Sequence, residues 1–207
     1  MQRKSQTLDL VRRNPRQARA QDTVEIIFEA TAQILRREGR DALNTNHIAE
    51  SAGISVGTLY QYFPNKEAIL VAMARRELEA DHAAVMKAIS EPADAQADRV
   101  RLAIRALIAR FRRSREVRRI AIETLISEGY GGELATSVQK AAQMIGASSE
   151  RFLPGRKEPV SPASLFVITR AISGVLRSAS QEQSPLLDSA EFEDELVHLV
   201  KAYFGRV

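Results

Sequence analysis

The stretch Asn44-Thr-Asn-His-Ile-Ala-Glu-Ser-Ala-Gly53-Ile-Ser-Val-Gly57-Thr-Leu-Tyr-Gln-Tyr-Phe63-Pro-Asn-Lys66 decides the reading of this chain. Thr45 can cap a short helix over residues 46–51, Gly53 permits a tight turn, and Ser55 can cap a second short helix that runs to Tyr62 before Pro64 stops it. Ile48 and Ala49 give the first helix a small apolar face, Ile54 plugs the corner, and Leu59 and Phe63 anchor the second helix from inside. That pattern is a helix-turn-helix. The outward face then carries Ser55, Val56, Gly57, Thr58, Tyr60, Gln61 and Tyr62, with no acidic residue.

Working outward, Arg16 to Glu38 has its apolar residues on one helical face and meets Gly39, a left-handed stop. Beyond Pro64-Asn65, residues 66–90 read as one long helix with Ile69, Leu70, Met73, Leu78 and Val85 inward, ending at Glu91-Pro92. Amphipathic helices follow over 98–113, 117–127 and 133–147, with a turn at Gly131-Gly132 and a loop over 148–162. Helices over 162–180 and 189–204 close the chain. The expected fold is all-α, with about nine helices. Its parts are a basic arm (1–15), a helix-turn-helix domain (16–66) and a larger helical domain (67–207) that residues 67–90 link to the first.

Composition narrows the function classes. The 207 residues contain no Cys, so disulfides, thiolate metal sites and cysteine nucleophiles are excluded. No run approaches the roughly 18 apolar residues of a membrane span, and the first 20 residues lack an apolar leader core, so a cytoplasmic chain without membrane contact is expected. Net charge is +4, and its excess is N-terminal: Arg3, Lys4, Arg12, Arg13, Arg16 and Arg19 face Asp9 alone. No glycine-rich phosphate loop, Gly-x-Ser-x-Gly or His-Glu-x-x-His occurs, and the three histidines are scattered, so no enzyme, metal or cofactor is expected.

A basic arm followed by an acid-free recognition helix suits double-stranded DNA. Such a helix enters the major groove by its N-terminus, so its first residues meet base edges while flanking groups touch phosphates. Gly57 permits close approach, and Val56 suits a thymine methyl. The hydroxyls of Thr58, Tyr60 and Tyr62 and the Lys66 ammonium suit phosphate oxygens, and Thr45 and Asn46 open the preceding helix, whose free N–H groups attract phosphate. Tyr60 and Tyr62 could also be core residues. With Leu59 and Phe63 filling the inward face, both are placed outward.

The run Gly53 to Glu67, preceded by a Gly39 turn and a Thr-x-x-Ile-Ala helix, resembles the DNA-binding signature of the TetR family of bacterial repressors. The resemblance spans residues 16–70. It implies a homodimer whose helices 1–3 bind a palindromic operator, whose helices 5–7 enclose a small-molecule effector, and whose last two helices form the dimer interface. It further implies that effector binding moves helix 4 and changes the spacing of the recognition helices, which must match one DNA turn of roughly 34–36 Å. A constitutive DNA binder without effector, and a helical enzyme or carrier with a vestigial N-terminal domain, remain the alternatives.

In the larger domain, Glu123 is a carboxylate among apolar neighbours and a candidate pocket residue, with Phe111, Tyr130, Met144 and Phe166. The stripes containing Leu165, Ile168, Ile172 and Val175, and Leu196, Leu199, Val200 and Tyr203, fit either the core of their own domain or a four-helix dimer seam. The arginines at 110, 112, 113, 115, 118 and 119 read as a solvated face that pairs with acidic neighbours such as Glu116 and Glu123.

Overall fold

The computed structural model describes residues 18–90, 98–113, 115–153 and 159–205. The basic arm expected over 1–15 lies outside them, as does part of the 148–162 loop. Every regular element among the described residues is helical: α1 Ala18–Glu38, α2 Thr45–Ser51, α3 Val56–Tyr62, α4 Lys66–Ser90, α5 Arg99–Arg113, α6 Arg115–Leu125, α7 Gly131–Ala147, α8 Ser149–Phe152, α9 Pro162–Gln181 and α10 Ala190–Gly205. No helix among them is long and apolar enough to cross a membrane.

The chain divides into two compact units, the first reaching Arg75 and including Glu116–Glu128, the second made of Arg76–Arg115 and the residues from Gly129 onward. The first unit thus runs past the boundary expected at residue 66. The reason is burial: Ala68, Ile69, Leu70, Val71 and Ala74 of α4 are closed off from solvent, and Ile120, Ala121 and Leu125 of α6 are too.

In the first unit α1 packs on α2 and α2 on α3. Ile27, Ile34 and Leu35 of α1 are fully buried, and the Phe28 and Phe63 rings meet with centroids 5.9 Å apart. Buried Thr31 donates its hydroxyl hydrogen to the Ile27 carbonyl at 2.8 Å, so it costs the core no unsatisfied group. Gly39 stops α1 with φ +81°.

In the second unit α7 packs along α9 and α5 along α10. The approach of α7 to α9 is close at Gly146, where a Cβ would stand 2.8 Å from Leu165 Cδ1. Three local expectations change. The helix runs into Gly129 as expected, with a φ of +88° that only glycine adopts easily, but the turn expected at Gly131-Gly132 is replaced by the start of α7. Within the expected loop, α8 forms and buries Phe152, and between α9 and α10 a 3-10 turn, Pro185–Asp188, buries Leu187.

The two apolar stripes also resolve. Leu165, Ile168, Ile172, Leu196 and Val200 are buried in the core of their own unit, beside Ile104, Ile108 and Leu176. Their side chains are therefore closed off within their own unit. Of the eight residues expected at a dimer seam, Val175 and Leu199 are exposed and Tyr203 is half-buried.

Ion pairs lace α5 to its neighbours. Arg101 and Arg105 both hold Glu193 (3.0 and 2.8 Å), Arg101 also holds Asp194, and Lys201 holds Asp98 at 2.6 Å. The hydrogen bond from Arg105, with a second from Arg101, keeps the Glu193 carboxyl below its ordinary range against a smaller effect of burial. Burial pushes Asp98 up, but hydrogen bonds from Lys201 and the Arg101 backbone outweigh it, and its carboxyl is also lowered. A carboxyl that is lowered in the folded chain stabilises it fully above the unfolded value, roughly 4, and that contribution disappears as pH falls through the folded value. Urea unfolding midpoints should therefore fall between about pH 5 and about pH 3, and fall less steeply in Glu193→Gln. Equal slopes would show that these bonds carry no linkage.

Candidate nucleic-acid interface

The helix-turn-helix is built by short-range bonds. Asn44, rather than Thr45, caps α2: its side-chain oxygen accepts from the His47 N–H at 2.9 Å, and Thr45 is the first helical residue. An asparagine just before the first helical turn was the signal, since its side-chain oxygen reaches the third residue on. Ile48 and Ala49 are fully buried, and the turn closes through Gly53 N–H to Glu50 and Ile54 N–H to Ala49, each 3.0 Å. Gly53 has φ +66°, where a side chain is strained whatever the space around it. Ser55 caps α3 by accepting from the Thr58 N–H at 3.0 Å, and its hydroxyl lies 2.8 Å from that of Thr58.

Leu59 and Phe63 hold α3 from within. Its outer face presents Gly57, Tyr60 and Gln61, with Ser55 at its cap exposed and Val56 and Thr58 half-exposed; Asn46 is exposed on α2. The Thr45 and Tyr60 hydroxyls lie 3.1 Å apart and join α2 to α3. The Lys66 ammonium donates to the Leu43 carbonyl at 2.9 Å, tying the start of α4 to the residue before the α2 cap. Asn65 caps α4 by accepting from Ala68 N–H at 2.7 Å. At Gly57 a Cβ would meet only Ser55 Oγ, at 3.8 Å, so nothing among the described residues requires glycine there.

One expected contact residue is misplaced. Tyr62 is 7% exposed and packs with the core rather than standing on the outer face. It follows Leu59 by three positions, the spacing that puts two side chains on the same side of a helix.

The expected pocket residues divide between the two units. Glu123 lies in the first unit, 3.0 Å from the Arg119 guanidinium one turn earlier, so its charge already has a partner. The other four lie in the second unit, where Phe111 is core, Tyr130 and Met144 are half-buried, and Phe166 is 55% exposed under the Arg170 guanidinium. An exposed ring does not line an enclosed pocket, so Phe166 is removed from that set. Of the arginine cluster, Arg110 pairs with Glu77 and Asp81 at 2.6 and 2.8 Å, Arg112 and Arg115 with Asp188, and Arg119 with Glu123, whereas Arg118 is buried and does not stand on the solvated face expected for it. Among the described residues no group of three metal-ligating side chains is found.

Residues 27–73, which contain α2, α3 and the start of α4, match the family model for bacterial regulatory proteins of the tetR family. Over this segment the chain is similar to the TetR family. Over 53 residues it is 43% identical to the transcriptional repressor KstR of Mycolicibacterium smegmatis, covering 26% of each chain. The matches of highest identity span only a quarter to a third of the relatives' length. A longer match, 28% identical over 192 residues, covers 89% of this chain and 88% of the transcriptional regulator EthR of Mycobacterium tuberculosis. A TetR-family regulator of Marinobacter aquaeolei has the same fold, with a TM-score of 0.59 at 21% identity over 89% of this chain and 96% of the other. These relatives are transcriptional regulators, not enzymes, and the TetR-family signature lies on the unit that carries the exposed α3.

Proposed function

We propose that this protein is a TetR-family repressor that binds a palindromic operator as a homodimer and is released by a small hydrophobic effector. The observation that carries the reading is the outer face of α3. It is short, capped, free of acidic residues and held from behind by Leu59 and Phe63, so it can enter a groove without reorganising. Thr45, Asn46, Ser55, Thr58, Tyr60 and Lys66 are proposed to contact phosphates or position the module, and Val56, Gly57 and Gln61 to approach base edges. Lys66 is already oriented by the Leu43 carbonyl, which leaves it two further N–H donors.

The second copy is proposed to dock on the exposed side of α9 and α10, where Phe166, Val167, Val175 and Leu199 stand at 38–55% exposure. The effector is proposed to enter the apolar interior of the second unit, and the protein to act in the cytoplasm, where the chromosome lies.

Binding to a fragment selected from a randomised pool tests this. Two chains per duplex are expected, with release by a hydrophobic metabolite extract. Lys66→Ala should weaken binding to every sequence alike and reduce the slope of log affinity against log salt by about 1. Footprinting that protects no bases would overturn the reading.

A further inference from the structure

The surface charges of the second unit fall into two groups. Arg101, Arg105, Arg110, Arg112 and Arg115 each hold a carboxylate of their own chain. Arg170 and Arg177 on α9 hold none among the described residues, although α9 packs beside an acidic helix; Arg170 instead lies 3.6 Å over the Phe166 ring. Glu191 and Glu195 on α10 have no cation partner among the described residues either.

These charges are sorted by sign and by face. The α9 sequence has two arginines and no acidic residue. At helical spacing Phe166, Val167, Arg170, Gly174 and Arg177 share one stripe, opposite the buried Leu165, Ile168, Ile172 and Leu176. On α10, Glu191, Glu195, Leu199 and Ala202 share the stripe opposite the buried Leu196, Val197, Val200 and Phe204. A solvated face ordinarily mixes both signs, whereas here each of these two stripes shows one sign interleaved with apolar residues. Each is the electrostatic complement of the other and of neither itself.

We infer that Arg170 and Arg177 on α9 of one copy pair with Glu191 and Glu195 on α10 of a second copy, and that this pairing sets the register and partner choice of the dimer. The inference rests on the dimer proposed above. A two-fold axis makes the contact twice. Packing α9 on α9 would oppose arginines, and packing α10 on α10 would oppose carboxylates, so both alternatives are disfavoured by repulsion.

Two charge-reversed chains test it by sedimentation velocity, with far-UV circular dichroism as the folding control. Arg170→Glu/Arg177→Glu and Glu191→Lys/Glu195→Lys should each raise the dimer dissociation constant by about a hundredfold. Mixed in equal amounts, they should form a heterodimer within about tenfold of wild-type affinity, since one contact is then the wild-type pair and the other is restored with polarity exchanged. If either double reversal loses helicity, Arg170→Glu with Glu195→Lys repeats the mixing. Unaltered dimers of both variants, or a mixture that stays monomeric, would overturn the pairing. Recovery of Arg170→Glu/Arg177→Glu by wild-type chain alone would overturn it in favour of α9 on α9. A monomeric wild-type chain would instead remove the dimer reading beneath it.

Discussion

Gly57→Leu is expected to abolish operator binding while making the protein slightly more stable. A Cβ at this position has only Ser55 Oγ within 4 Å, at 3.8 Å, and the backbone has no positive φ, so the α3 backbone accepts a residue with a side chain. Glycine inside a helix costs about 0.8–1.0 kcal/mol relative to alanine, and an ordinary residue recovers most of that. In the proposed complex the same side chain would occupy the space through which the backbone of α3 approaches the base edges, once in each protomer. Affinity should fall by about a hundredfold or more, roughly 2.7 kcal/mol, in an anisotropy titration, while the melting temperature holds or rises. If affinity is retained, the N-terminal turn of α3 is not the part that enters the groove. A loss of both stability and affinity would mean that Gly57 serves the fold.

The second large effect is at Tyr62, with the opposite signature. Because the ring is 7% exposed, Tyr62→Ala leaves a cavity beside Leu59 and Phe63, and truncating a buried aromatic costs about 3–5 kcal/mol. DNA binding is then lost because the module unfolds. Tyr62→Phe keeps the ring and should hold both stability, within about 1 kcal/mol, and DNA affinity. Urea unfolding and the salt dependence of binding separate the cases. A Tyr62→Phe chain that stays folded but binds every sequence more weakly, with a flatter salt slope, would restore a phosphate contact for this hydroxyl.

These two residues mark how far local reasoning reaches. The helix-turn-helix was legible because its determinants lie within a few residues of one another: a cap, a glycine turn, and apolar side chains three or four apart. Even so, placing both tyrosines outward ignored that Tyr62 follows Leu59 by three positions. Thr45 has the right chemistry for a cap, yet it is the side chain of Asn44, one position earlier, that reaches forward to the His47 N–H. The arginine cluster shows the limit at longer range. That these side chains pair with carboxylates was readable from composition, but Asp188 lies 73 positions after Arg115, and no local pattern brings the two together.

The sequence alone determined that this chain is helical, where most helices begin and end, and that an acid-free recognition helix sits near its N-terminus, because helix periodicity and capping are properties of neighbouring residues. Only the tertiary structure decided what each apolar stripe packs against. A period of 3.6 says which side chains share a face, and is silent on whether that face meets its own core or remains open. On α9 and α10 the stripe at Leu165, Ile168, Ile172, Leu196 and Val200 was spent inside the protomer, and the side left open was the one where charge is sorted by sign.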